Sequence, residues 1–139
     1  MSEYIGRLLS DTDKLIAALE ELERSHKHFS VIKYKLNKEA GKIADLVTSC
    51  RRSIAFMADD PALKPLSGEL EKYGELLKSY HGNVKVTGGL CSSDKYRIKR
   101  AFLVKFVEEL KAAKADLATV AAGVTGADVL SLALMLLFY

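Results

Sequence analysis

The sequence predicts an all-α protein: an antiparallel four-helix bundle with a short fifth C-terminal apolar helix placed like a brace. Three observations predict it. Apolar residues recur at three- and four-residue steps through four long segments, the period of a helix that buries one face. The chain has two prolines, no tryptophan and few runs of β-branched residues, a composition that favours helix over sheet. Short links between most segments set consecutive helices side by side and antiparallel. With 139 residues, about half of them hydrophobic, the expectation is one domain over residues 1–139 built on a single core. An apolar last residue fits either a domain excised from a longer protein or a terminus docked in the core.

The first segment, about Tyr4 to Arg24, carries Leu8, Leu15, Leu19 and Leu22 on one face with Tyr4, Ile5 and Ile16 beside them, leaving an acidic outer face. The second, about Phe29 to Ala58, repeats Phe29, Ile32, Leu36, Ile43, Val47, Cys50 and Ile54 and reads as one long helix weakly interrupted by Gly41. Asp59, Asp60 and Pro61 end it, because proline disfavours helical geometry in the residue before it and is tolerated in a new first turn. The third helix follows from about Ala62 to Tyr80 through Leu63, Leu66, Leu70, Tyr73 and Leu77. Gly82, Gly88 and Gly89 mark a loop of about ten residues, long for a bundle connection. Ser92 or Ser93 then caps a fourth helix carrying Phe102, Phe106, Leu110, Ala113, Leu117 and Val120, and Gly123 ends it. Thr125 and Asp128 form a start signal for a fifth helix, Val129 to Tyr139, with Ser131 its one polar residue.

Charge is sorted by segment. Residues 1–24 carry a net −3, 25–58 a net +5, 59–81 a net −2 and 82–139 a net +3, which together give the chain its +3. Basic helices set apart from acidic ones predict a cationic face that attracts phosphate. On the second helix Lys27, Lys35, Lys38, Lys42 and Arg52 fall opposite the apolar stripe, with Lys33 and Arg51 flanking it and Asp45 the only acid among them. Two readings stand: a solvated face that keeps the bundle soluble, or an anion-binding surface on which each lysine contributes about 1 kcal/mol near an anionic membrane. At the entry to the fourth helix are Lys95, Arg97, Lys99 and Arg100, with Lys95 and Lys99 in line with the apolar stripe. Either this turn projects past the bundle and its side chains snorkel, or it forms a phosphate site with the free amides of the helix start. The apolar residues Val129, Leu130, Leu132, Leu134, Leu136, Leu137 and Phe138 form either a core or lid helix or a surface for self-association or membrane contact.

Other chemistry is weakly represented. His26 and His28 project about 200° apart on a helix and lack supporting ligands, so no metal is expected. The stretch GNVKVTGG lacks the GK[ST] ending of a phosphate loop. Carboxylates are scattered over outer faces and no nucleophile has a base near it in sequence, so neither catalysis nor a cofactor is expected. Cys50 reads as a buried thiol and Cys91 as a free loop cysteine, and two cysteines without a signal peptide point to a reducing cytosol. No apolar run reaches the roughly 20 residues of a spanning helix.

The order of these features resembles the HeLo-like family of cell-death bundles, found at the N-terminus of the mixed lineage kinase domain-like pseudokinase, in fungal HeLo domains and in the helical domains of plant immune receptors. The likeness rests on the basic second helix with its Cys50-Arg51-Arg52 turn and on ELEKYGELLKSY from Glu69 to Tyr80. It continues through the cysteine- and serine-containing loop into SSDKYRIKRAFLVKFVEEL, Ser92 to Leu110, and an apolar helix in the place of a brace. The resemblance implies a cytoplasmic module recruited to the inner face of the plasma membrane, which forms a homo-oligomer, binds anionic lipids such as phosphoinositides and permeabilises the bilayer in cell-death or immune signalling. It implies lipid contacts at Lys33, Lys35, Lys38, Lys42, Arg51, Arg52, Lys95, Arg97, Lys99 and Arg100, and a regulatory domain in the same chain. The polar start SEYIGRLLSDTDK departs from relatives whose first helix inserts, so surface binding is the inference carried forward. The alternative is an adaptor bundle for protein–protein interaction or oligomerisation without membrane activity. Nucleic-acid binding fits the basic helices but lacks aromatic interleaving.

Overall fold

The computed structural model describes residues 3–26, 28–35, 38–87 and 95–125. Helices carry most of them: α1 (Glu3–Ser25), α2 (Lys38–Ala58), α3 (Ser67–Asn83) and α4 (Arg100–Thr125), with a 3-10 helix at Pro61–Leu66 ahead of α3. The chain is mostly helical, as its periodicity predicts. It also holds three short strands that the all-helical expectation did not include: β1 (Val31–Lys35), β2 (Lys85–Thr87) and β3 (Lys95–Lys99). The expected fifth helix from Val129, with its apolar residues, lies outside the described residues, as do Cys91 and the expected caps Ser92 and Ser93.

Each helix buries the stripe its sequence spacing sets. On α1 the buried positions are Ile5, Leu8, Leu9, Thr12, Leu15, Ile16, Leu19 and Leu22. They meet Ile43, Val47, Cys50 and Met57 of α2, Leu70, Tyr73, Leu77 and Tyr80 of α3, and Leu103, Phe106, Leu110, Leu117 and Ala121 of α4 in one cluster. Helix α1 packs against α2 and α4, and α3 against α2 and α4. Ser49 meets Asp11 and Phe56 stacks on Tyr4, so α2 runs antiparallel to α1. Arg100 meets Glu23 and Lys114 meets Asp13, so α4 also runs antiparallel to α1.

Between α2 and α3 the chain makes a 3-10 turn where the sequence predicted an α-helix from Ala62. Asp60 caps it, accepting from the Ala62 amide at 3.0 Å, and Pro61 occupies its first turn. Pro65 supplies no N–H and crowds the preceding carbonyls, so regular α-helix begins only at Ser67.

Two further expectations are corrected. Phe29 to Ala58 is not one helix, because residues 31–35 form β1 and α2 starts at Lys38. Lys95 to Lys99 is not the first turn of the fourth helix but β3, and α4 starts at Arg100. The physical reason is the same in both places. VIKYK and KYRIK alternate apolar and basic residues with a period of two, and β-branched and aromatic residues suit a pleated, half-buried surface. Phe29, Ile32 and Leu36 also satisfy helical spacing over so short a span, and the tertiary partner decides: Ile32 pairs with Ile98, and both are buried in the core. The strand assignment also removes the oddity of Lys95 and Lys99 on a core-facing stripe.

The sheet order is β1-β3-β2, antiparallel throughout. Strand β1 comes from the link between α1 and α2, while β2 and β3 come from the link between α3 and α4. The sheet therefore sits at the end of the molecule where α1 finishes and α4 begins.

Candidate functional site

Strand register concentrates basic residues. Val31 lies opposite Lys99, Lys33 opposite Arg97 and Lys35 opposite Lys95. On the other side of β3, Lys85 lies opposite Arg97 and Thr87 opposite Lys95. Residues two apart share a face of a strand. Ile32 and Ile98 belong to the core-facing set. Lys33, Lys35, Lys85, Lys95, Arg97 and Lys99 therefore occupy the positions of the opposite, outward face, where Arg97 and Lys99 are exposed. The three strands contain these six basic residues and no acidic one.

Such a face is electrostatically costly. Directly opposed strand residues have Cβ atoms about 5 Å apart, and like charges at that spacing are destabilising. Lys33 with Arg97, Lys35 with Lys95 and Lys85 with Arg97 are all like-charge pairs. Ile32 and Ile98 offset this by burying the inner face, and an anion laid across the outer face would relieve the repulsion.

Ten basic residues were expected to contact lipid, and the structure sorts them. It brings Lys33 and Lys35 together with Lys95, Arg97 and Lys99 on the sheet, joining two stretches that lie some sixty residues apart in sequence. Lys38 is the first residue of α2 and Lys42 is exposed one turn later. Lys42 lines a cavity of about 320 Å³ between α1 and α2 with Lys14, Glu21, Leu22 and Ser25. Arg51 and Arg52 are exposed but belong to the distal half of α2. At 1.5 Å per residue they lie roughly 20 Å along the helix from Lys38.

Arg100 is placed differently from its neighbours. Its amide donates to the Ser30 carbonyl at 2.9 Å, continuing the β1–β3 register by one residue and giving Arg100 the same parity as Ile98. The side chain accordingly turns inward and is only 18% exposed. Its Nη1 meets Glu23 Oε1 at 2.6 Å and donates to the Glu23 carbonyl at 3.2 Å, while Nε donates to the Phe29 carbonyl at 2.7 Å. Arg100 thus ties the end of α1, the approach to β1 and the start of α4 together, and its cation is already matched by Glu23.

Sequence reasoning missed Lys85, which it placed in a glycine-rich loop, and it missed the sheet that aligns the rest. One signal was present. Read backwards, β1 is KYKIV, which matches KYRIK of β3 at three of five places and puts Lys for Arg at a fourth, as antiparallel pairing of like with like requires.

A second polar group lies inside the helices. Thr12 donates to the Leu8 carbonyl at 2.6 Å and also contacts the Tyr73 hydroxyl. Ser49 donates to Asp11 at 2.6 Å, and Lys114 pairs with Asp13. Burial, with the nearby Asp11 carboxylate adding to it, pushes the Cys50 thiol up to about 12 against a smaller opposing effect of Thr12. Burial likewise raises the Tyr73 hydroxyl well above its ordinary range. A thiol so protected is a poor nucleophile. Among the described residues no group of three or more His, Cys, Asp or Glu is placed to hold a metal ion, and no helix is long and apolar enough to cross a membrane.

Compared with known proteins, the chain matches no family model, no curated protein and no solved structure.

Proposed function

We propose that this protein is an antiparallel four-helix bundle whose small sheet docks on anionic membrane lipid. The observation that supports this reading is the alignment of six basic residues on one sheet face whose strands contain no acid. At about 1 kcal/mol per cation near an anionic surface, six would supply about 6 kcal/mol, enough for reversible recruitment. Cations at alternate positions of three adjacent strands suit a plane of phosphates, and the function is one of binding rather than catalysis. The wider role belongs to the same proposal: assembly into a homo-oligomer, phosphoinositide recognition at the inner face of the plasma membrane, and permeabilisation in cell-death or immune signalling, with a fifth helix as brace. It draws its support from the order of sequence features.

Lys33→Glu tests the docking face without threatening the fold, since it turns a like-charge pair with Arg97 into an opposite-charge pair. The expected result is thermal stability equal to or above that of the parent. Sedimentation with phosphatidylcholine vesicles containing a phosphoinositide should weaken about thirtyfold, from a charge change of two at about 1 kcal/mol each. Binding that ignores this substitution, or that is equal on uncharged vesicles, would remove the reading.

A further inference from the structure

The cationic face does not stop at its charges. The hydrogen bond from the Arg100 amide to the Ser30 carbonyl continues the ladder one pair past Val31, and Phe29 immediately precedes the strand whose outward positions are Val31, Lys33 and Lys35. Phe29 is 61% exposed and Val31 is 39% exposed, two of the four large apolar side chains that the described residues leave open to solvent. They adjoin one another and lie at the edge of the basic face, with exposed Lys99 opposite Val31.

The exposure of Phe29 does not come from a loose chain. Its amide donates to the His26 carbonyl at 3.0 Å, and its own carbonyl accepts from Arg100 Nε at 2.7 Å. The backbone is fixed on both sides while the ring is presented outward. A fixed aromatic ring beside cations costs free energy in water and gains it where an apolar layer lies directly beneath a plane of negative charge. The headgroup and acyl boundary of an anionic bilayer has that layering, and amphipathic surfaces bury their apolar side roughly 5–10 Å into it. Duplex nucleic acid keeps its bases stacked behind the phosphates and a free phosphate offers neither plane nor depth, while a single strand, whose bases stack on aromatic rings, is separated by the test below.

We infer that Phe29, with Val31 beside it, is a membrane wedge that enters the headgroup and acyl boundary while the lysines and arginine of the sheet hold the lipid phosphates. The inference rests on the membrane-docking reading above and adds which residues penetrate, how far, and in what orientation the molecule lies.

The chain contains no tryptophan, so Phe29→Trp creates a single fluorescent reporter at the wedge. The test uses vesicles of phosphatidylcholine and phosphatidylserine, some carrying lipids brominated near the carbonyl end of the acyl chain. Expected are a blue shift on vesicle addition and quenching by the brominated lipid. Phe56→Trp provides the control, because Phe56 is 59% exposed yet stacks on Tyr4 at the other end of α1. Its emission should not respond to brominated lipid. Phe29→Ala should lower the vesicle partition coefficient about tenfold, as expected for one large apolar side chain returned to water, while leaving the salt dependence unchanged.

The outcomes separate. If the protein sediments with anionic vesicles but the emission of the Phe29→Trp variant is neither shifted nor quenched, or that of the Phe56→Trp variant is quenched as strongly, the wedge is overturned and the docking face stands. If the parent chain sediments with no anionic vesicle, the docking face fails and the wedge with it. Preferential binding to single-stranded nucleic acid over vesicles overturns both.

Discussion

Replacing Arg100 with methionine keeps an unbranched apolar stem and removes the guanidinium that joins three elements. The lost contacts are the ion pair with Glu23 Oε1 and the hydrogen bonds to the carbonyls of Glu23 and Phe29. Hydrogen bonds to a charged donor are worth about 1.5–3 kcal/mol where they are shielded. The Glu23 side chain is 35% exposed, so solvent screening holds the ion pair to about 1 kcal/mol. The bond to the Phe29 carbonyl is exposed and contributes about 1 kcal/mol, and the longer, part-buried Glu23 carbonyl contact about 1 kcal/mol more. One term runs the other way: Arg100 Nη2 is buried without a hydrogen-bond partner, and its removal returns about 1 kcal/mol. The net loss is about 2 kcal/mol, which for a chain of this size lowers Tm by about 8 °C. Differential scanning calorimetry gives the total, and amide hydrogen exchange gives its location. Protection in residues 31–35 should fall further than protection in α3. A drop in Tm below about 2 °C, or complete rescue by Arg100→Lys, would refute the reasoning, because lysine cannot reproduce the planar fork.

The interior polar contacts make two more predictions. Lys114→Met leaves Asp13 without its cation in a largely buried site where Oδ2 already lacks a partner, and should cost about 3 kcal/mol in urea unfolding; adding Asp13→Leu should recover most of it. A loss below about 1 kcal/mol, or a double variant no better than the single, would show that the pair does not matter. For Cys50 the folded thiol titrates near 12 and the unfolded one near 9, so stability is full below about pH 9 and declines as pH rises towards 12. At about pH 10.5 the Cys50 share of the loss is about 2 kcal/mol, and Cys50→Ala should flatten the alkaline limb by that amount. An identical limb in both proteins would contradict the burial account.

The four helices were legible because their amphipathic stripes persist over many turns: Leu8 to Leu22, Ile43 to Met57, Leu70 to Tyr80 and Phe106 to Ala121 all lie where the period of 3.6 puts them. The strands were not. Three to five residues give a period of two little room to declare itself, and Ile32 also completes a helical stripe with Phe29 and Leu36. Their identity is tertiary, fixed when Ile32 meets Ile98 across sixty-six positions of chain. The basic residues were visible as a composition bias, but their grouping depended on those strands. Lys33 and Lys95 looked like members of two separate helical patches and are neighbours on one sheet. Arg100 belonged to the same run of cations as Arg97 and Lys99 in sequence, and a single step in strand parity turned it inward to Glu23.

The two links that form the sheet close the molecule at one end. Strand β1 belongs to the hairpin of α1 and α2, and β3 to the hairpin of α3 and α4, so neither half of the chain holds the surface alone. A nascent chain released only through Thr87 has both edge strands, β1 and β2, without the central strand that pairs with them, and β3 must bridge a sequence separation that makes its docking a late event in folding. The basic sheet face is therefore a product of completed folding: a truncated or half-folded molecule lacks it, and on the proposed docking reading, engagement of a ligand becomes a check that both halves have assembled.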